Sequence, residues 1–317
     1  MEINVCFATN DRYAPHAAAL IVSIMENKSP EDELSFHFFS DKTTPSVQNT
    51  FHQMSRAMGF RLAIYEMSDE QFVDFPIFMG SRTTYFRLSM HRMLPDSIKK
   101  ILYLDCDMIV MSSLKELYST DISDCYAAVV AEALKVPHLP VEHPYFNAGM
   151  VLFNLEKYRD EDLEKQAIRF GYEHPDWIRF ADQEILNYIF KGNVVYLPLK
   201  WNMMLEKRHR EGLLSMGWDI AYSEDKICKA EDSPAIIHYV SRIKPWLPTC
   251  RHPDKNTYWE YARKTPFYEQ VIREYWKLYR TTLAKDCVTL AKDVVKMPER
   301  LLRQWIIKPL KKRLKAA

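Results

Sequence analysis

From Ile3 to Leu104, apolar runs of strand length alternate with amphipathic segments, and this alternation constrains the fold more than any other feature of the chain. Ile3–Thr9 (INVCFAT), Leu34–Ser40 (LSFHFFS), Arg61–Met67 (RLAIYEM) and Lys100–Leu104 (KILYL) read as strands. Between them Ala14–Glu26, Thr44–Met58 and the short Thr84–Met93 read as helices; the first two carry a proline in the opening turn, where it is tolerated. Alternating β and α elements build an α/β fold, a mostly parallel sheet with helices on its faces. Such sheets bind ligands at the carboxyl ends of their strands, so the residues just after each strand are the ones to inspect.

The second half is mixed. Tyr126–Val130, Met150–Asn154, Val194–Leu199 and Ile236–Val240 read as strands, and Asp160–Tyr172 and Asp182–Phe190 as helices. From about Tyr258 the pattern is helical and rich in aromatic residues. The expected organisation is a catalytic or binding domain over 1–250 and a helical region over 251–317. The last segment, 299–317, sets Arg300, Arg303, Lys308, Lys311, Lys312, Arg313 and Lys315 among Leu301, Leu302, Trp305, Ile306, Leu310 and Leu314. That pattern suits a helix packed on the body, or an interfacial segment on an anionic membrane surface; the second reading is favoured.

Composition removes several function classes. The 317 residues include only 7 glycines, where average usage of about 7% would give roughly 22. No G-x-G-x-x-G is present, and Gly212 and Gly217, spaced as in a phosphate loop, are followed by Trp218 instead of lysine. A nucleotide must be held in some other way. The 43 basic and 42 acidic side chains give a net charge of +1, which argues against a general nucleic-acid partner. The six cysteines form no C-x-x-C pair and read as reduced thiols of a cytoplasmic protein. The opening residues, MEINVCFATND, do not read as a signal peptide, and no apolar run approaches the roughly 18 residues of a membrane span.

The most informative local motif is Asp105-Cys106-Asp107, directly after the strand ending at Leu104. Residues two apart on an extended chain face the same way, so both carboxylates can converge on one point. Two such charges repel unless a cation lies between them, and Mn²⁺ or Mg²⁺ is held by one or two carboxylates together with substrate phosphates. A haloacid-dehalogenase-like phosphatase, with Asp105 as nucleophile, is the alternative chemistry. It fits less well, because Ile109 stands where that pattern has Thr or Val. A non-catalytic UDP- or sugar-binding protein is a further alternative. Towards the end of the core, His238 closes a strand and Lys244 follows six residues later. A neutral imidazole would complete a transition-metal site, and a lysine is a point charge for phosphate.

The segments FATNDRY (7–13), TTYFRL (83–88), LYLDCDMIV (102–110), YFNAGMVLFNL (145–155), ADQEILN (181–187) and HYVSRIKPW (238–246) resemble, in this order, glycosyltransferase family 8. These are retaining enzymes that include bacterial lipopolysaccharide galactosyl- and glucosyltransferases and glycogenin. The resemblance implies a GT-A-like fold over 1–250, a UDP-hexose donor and Mn²⁺. It implies Asp105, Asp107 and His238 as metal ligands. Ala8, Asn10 and Tyr13 would meet the uridine, Arg87 and Lys244 the diphosphate, and Asn147 and Ala148 the donor sugar; Cys106 and Ser241 would lie on the donor site. Asp182 and Gln183 would stand beside the anomeric carbon as catalytic residues. Ser241 departs from the family's usual glycine. Glu132, just after the strand Tyr126–Val130, is the candidate for acceptor hydroxyls. The acceptor would be a saccharide or glycolipid, with the protein peripheral on the inner face of the cytoplasmic membrane. Which hexose is moved, and the oligomeric state, are not encoded in these motifs.

Overall fold

The structure is a computed structural model and describes residues 1–77, 81–133, 139–204, 207–217, 219–240 and 242–296. Ser241 and the segment 299–317 lie outside the described residues. Nine strands are described: β1 (Glu2–Thr9), β2 (Glu33–Ser40), β3 (Arg61–Glu66), β4 (Lys100–Leu104), β5 (Met108–Val110), β6 (Ala127–Ala131), β7 (Phe146–Asn154), β8 (Val194–Tyr196) and β9 (Ile236–His238). Seven form one sheet in the order β3-β2-β1-β4-β7-β6-β8. β1 pairs in parallel with β2 and β4, β2 with β3, and β6 with β8, whereas β7 runs antiparallel to both β4 and β6. β5 and β9 form a separate antiparallel ladder.

Both sheet faces are covered, which explains why the strands read as continuous apolar runs. Side chains alternate between faces with period two. Ile3, Val5 and Phe7 of β1 and Leu102 and Leu104 of β4 enter one core, shared with the helix Ala14–Asn27. Cys6, Ile101 and Tyr103 enter the other, with the helices Leu163–Glu173 and Asp182–Phe190. Truncating a residue as buried as Leu102 to alanine would cost about 2–5 kcal/mol. The helix Lys255–Ala262 packs on Ala14–Asn27: Tyr261 Oη accepts from Asn27 Nδ2 at 2.9 Å. A long helix, Tyr268–Lys296, follows. No helix among the described residues is long and apolar enough to cross a membrane.

Several boundaries differ from expectation. The helix expected over 160–172 is two, Leu155–Asp160 and Leu163–Glu173, because Asp162 adopts a left-handed conformation (φ 48°) between them. The segment 84–93 is a broken run of 3₁₀ and α turns. β7 begins at Phe146, so the whole F-N-A-G stretch is strand.

Candidate active site

The chain leaves β1 in one direction along the sheet, through β2 and β3, and β4 lies on the other side of β1. The carboxyl ends of β1 and β4 therefore flank a topological switch point, where open α/β sheets bind ligands. Asp105, Cys106 and Asp107 emerge there. Cys106 Sγ reaches Ala8 O at 3.5 Å across the switch, and burial pushes its thiol pKa up. The antiparallel neighbour β7 brings Phe146–Gly149 to the same end, and Asp105 N donates to Gly149 O at 2.8 Å.

The short β5–β9 ladder supplies the rest. It sets His238 opposite Met108, and Tyr239 N donates to Asp107 O at 3.1 Å. His238 Nε2 lies 3.3 Å from Asp107 Oδ1 and 4.0 Å from Asp105 Oδ2. One ligand atom from each of Asp105, Asp107 and His238 falls within 4.8 Å of the others. The other oxygen of Asp107 accepts from Lys244 Nζ, which also donates to Tyr239 O at 2.6 Å. Burial alone would raise the Asp107 carboxyl, but the Lys244 ammonium beside it outweighs that and holds the pKa well below the usual carboxylate range. Asp107 Oδ1 is buried with no hydrogen-bond partner. A buried carboxylate oxygen in that condition, with a second carboxylate and an imidazole facing it, fits Mn²⁺ or Mg²⁺.

Behind the aspartates lies Arg87, only 3% exposed. Its Nη2 donates to Asp105 Oδ1 at 2.8 Å, its Nε lies 2.9 Å from Asp182 Oδ2, and its Nη1 donates to Ala148 O. The guanidinium sits 3.9 Å from the centre of the Tyr103 ring. Burial opposes its charge, and the Asp182 carboxylate overcomes that, so its pKa is raised. Burial also pushes the Asp182 carboxyl up to about 6, against the pull of Arg87 and the hydroxyl of Thr84, which donates to Asp182 Oδ1.

Asp182 opens the helix Asp182–Phe190, entered through Ala181 at φ 60° and ψ −120°. That conformation strains any side chain by about 1–3 kcal/mol and is held by fixed neighbours. Glu184 Oε2 accepts from Phe180 N at 2.8 Å, and Glu184 Oε1 from Tyr145 Oη at 3.0 Å. Gln183 is pinned as well: its Oε1 accepts from Ala148 N at 2.9 Å and its Nε2 donates to Tyr145 Oη at 3.2 Å.

On the other flank, the Tyr13 ring stands edge-on to Trp246 with centroids 5.9 Å apart, and Trp246 stacks on buried His16 at 3.5 Å and 11°. Burial lowers the His16 pKa to about 3, and it raises that of Tyr13 to about 12, with Asp107 adding to the rise. Asn10 serves the local turn: its Oδ1 accepts from Arg12 N and Tyr13 N at 3.1 and 3.2 Å.

Asn147 and Glu132 also turn inward. Asn147 Nδ2 donates to Glu132 Oε2 at 3.0 Å, and Glu132 Oε1 accepts from Ala133 N at 2.9 Å. Asn147 Oδ1 accepts from Gly149 N and from Asn202 Nδ2, each at 3.0 Å. The structure thus brings Ala8, Arg87, Asp105, Cys106, Asp107, Ala148, Asp182, Gln183, His238 and Lys244 into one cluster at the strand ends, with Asn147 and Glu132 on its β6–β7 side. Ser241 lies outside the described residues. Sequence reasoning missed Asn202, whose side chain carries no motif. It also missed Thr84, although TTYFRL contains it, and His16.

A mostly parallel sheet with paired aspartates, an imidazole and buried cations at its switch point defines a glycosyltransferase of the GT-A-like class. The chain belongs to glycosyl transferase family 8, whose model matches residues 4–250. It is 26% identical over 277 residues to general stress protein A of Bacillus subtilis, covering 83% of this chain and 94% of that protein. It is 23% identical to the lipopolysaccharide 1,2-glucosyltransferase of Escherichia coli K12, covering 86% of this chain and 81% of the other. Among solved structures, galactosyltransferase LgtC in complex with donor and acceptor sugar analogs superposes with a TM-score of 0.72 and 26% identity, covering 83% of this chain and 96% of that one. Family membership overturns the phosphatase alternative, and in this fold Asp105 is held by Arg87 rather than freed as a nucleophile.

Proposed function

We propose that the protein is a retaining, metal-dependent hexosyltransferase that moves galactose or glucose from a UDP-sugar to a saccharide or glycolipid acceptor. The observation that carries this reading is the convergence of Asp105, Asp107 and His238 within 4.8 Å beside the two buried cations Arg87 and Lys244. Mn²⁺ (or Mg²⁺) held by these three residues would act as a Lewis acid on the donor diphosphate. Lys244 and Arg87 supply fixed positive charge near the departing diphosphate, an electrostatic contribution that is often the largest in catalysis. The half-buried Tyr13 ring, set edge-on to Trp246, offers an aromatic surface for a planar base.

Asp182 and Gln183 are proposed as the residues beside the anomeric carbon. The engagement of Gln183 Oε1 by Ala148 N favours a positioning role over a nucleophilic one. Same-face attack, with the departing phosphate oxygen taking the acceptor proton, needs no carboxylate nucleophile. Catalysis is assigned to 1–250, and 251–317 to membrane approach. In the helix Tyr268–Lys296, Trp276, Tyr279 and Leu283 are exposed and share a face, an apolar surface suited to an interface.

Isothermal titration with UDP, with and without Mn²⁺, tests the metal-dependent donor site, and product analysis with UDP-galactose and UDP-glucose tests the transfer. Mn²⁺-dependent binding of UDP, with UDP release in the presence of one donor and an acceptor, is expected. Tighter binding of GDP, or binding indifferent to EDTA, would overturn the reading.

A further inference from the structure

We infer that Asn202, oriented by Asn147, holds His238 in the tautomer whose Nε2 lone pair faces the two aspartates, which makes Asn202 a positioning residue for the metal site. The inference deepens the metal reading proposed above, but the tautomer itself follows from protein atoms alone.

Two neighbours fix the orientation of the Asn147 amide. The backbone N–H of Gly149 can only donate, and it points at one end of the Asn147 amide at 3.0 Å. The other end faces Glu132 Oε2 at 3.0 Å and donates to it. Both demand the same orientation of Asn147: oxygen towards Gly149, nitrogen towards Glu132. That oxygen also lies 3.0 Å from the Asn202 side chain, so Asn202 must present its NH₂ there. Asn202 is fully buried and its amide has one oxygen left, which sits 2.8 Å from His238 Nδ1. A carbonyl oxygen cannot donate, so Nδ1 carries the proton. In the neutral ring Nε2 then has a lone pair, directed at Asp107 Oδ1 and Asp105 Oδ2.

A lone pair aimed at two carboxylates is repulsive in an empty site and favourable around a cation. The relay Glu132–Asn147–Asn202–His238 therefore prepares the imidazole for a metal. Ligating histidines are held in place by such outer partners through the other ring nitrogen. The relay also gives Asn147 and Glu132 a function inside the protein, whichever sugars they touch.

The deciding measurement on the wild-type protein is the ¹⁵N chemical shifts of His238 without metal, at a pH where the ring is neutral. Protonation at Nδ1 is expected; protonation at Nε2 would overturn the inference. Two variants test the consequence. Asn202→Ala removes the acceptor, and the Mn²⁺ affinity of the UDP-bound protein, read by electron paramagnetic resonance of free Mn²⁺, should fall about 10–100-fold. Asn202→Asp keeps an oxygen against Nδ1 but sets its second oxygen against Asn147 Oδ1, so it should lose less affinity than Asn202→Ala without matching the wild type. An unchanged affinity in Asn202→Ala, or equal losses in both variants, would count against the inference. Unchanged Mn²⁺ affinity in His238→Ala would instead overturn the metal reading, and the chemical shifts would still decide the tautomer.

Discussion

A Cβ at Gly149 would sit 2.4 Å from Cε1 of His238. The same atom would lie 2.9 Å from Asp105 Oδ2, so the strand β7 closes over the proposed ligands with no space for a methyl group. Gly149→Ala must displace the imidazole or an aspartate. We expect a stability loss of about 1–3 kcal/mol from overpacking, together with weaker Mn²⁺ binding. Thermal unfolding and a metal titration of the variant check both. Wild-type metal affinity would show that the ring shifts without consequence.

Asp107 should be probed by amidation rather than truncation. Asp107→Ala leaves Lys244 buried with its carboxylate gone, and a broken buried ion pair costs about 3–5 kcal/mol. Asp107→Asn keeps the volume and one acceptor. It should fold, lose Mn²⁺-dependent UDP binding and lower turnover by roughly 10²–10³-fold, the scale of removing one fixed electrostatic group. Near-normal turnover with Mn²⁺ present would remove Asp107 from the metal site.

The raised pKa of Asp182 gives a pH signature of definite sign. Its folded value of about 6 stands above the ordinary 3.8, so the folded state binds more protons between them. Stability contributed by the protonated form is complete below about 3.8 and is lost as pH rises through about 6. Asp107, held low, acts oppositely and outside this window: its contribution is present above 3.8 and lost in stronger acid. In EDTA, the melting temperature of the wild type relative to Asp182→Asn should fall between pH 4 and 6 and level off above. A difference that rises over that interval would assign the low-pKa role to Asp182.

The tail yields an independent expectation. Deleting 299–317 should release the protein from anionic vesicles in co-sedimentation while leaving turnover on a soluble acceptor. Binding by the full chain should weaken with salt, because charges are screened beyond about 8 Å at physiological ionic strength. Equal pelleting of both forms would make 299–317 an ordinary packed segment.

How far the sequence disclosed this site depended on how local each relationship was. The switch point followed from strand–helix alternation, and Asp105 and Asp107 from their place after β4, because both are features of short windows. Asn202 was not legible. It lies in the 3₁₀ turn Leu199–Asn202, and reaches His238 only because Met203 bridges Ile237 in β9. β5 was overlooked for a similar reason: three residues gain strand character only from a partner far along the chain. Asn147 and Gln183 could be placed in the cluster by motif. That their amides are committed to Glu132, Gly149 and Ala148 depends on side-chain orientation, which no motif carries.

The β5–β9 ladder also sets the order in which competence appears during synthesis. Asp107 and Lys244, joined by their ion pair, stand 137 positions apart. A nascent chain that has completed the parallel strands already displays its acidic pair, yet has neither the imidazole nor the ammonium. Asp105 can already meet Arg87 in such a chain, but Asp107 has neither of its partners, His238 and Lys244, until the ladder closes. On the proposed assignment, a ribosome product cut short before β9 would lack one metal ligand and the Lys244 ammonium, and should not consume activated sugar.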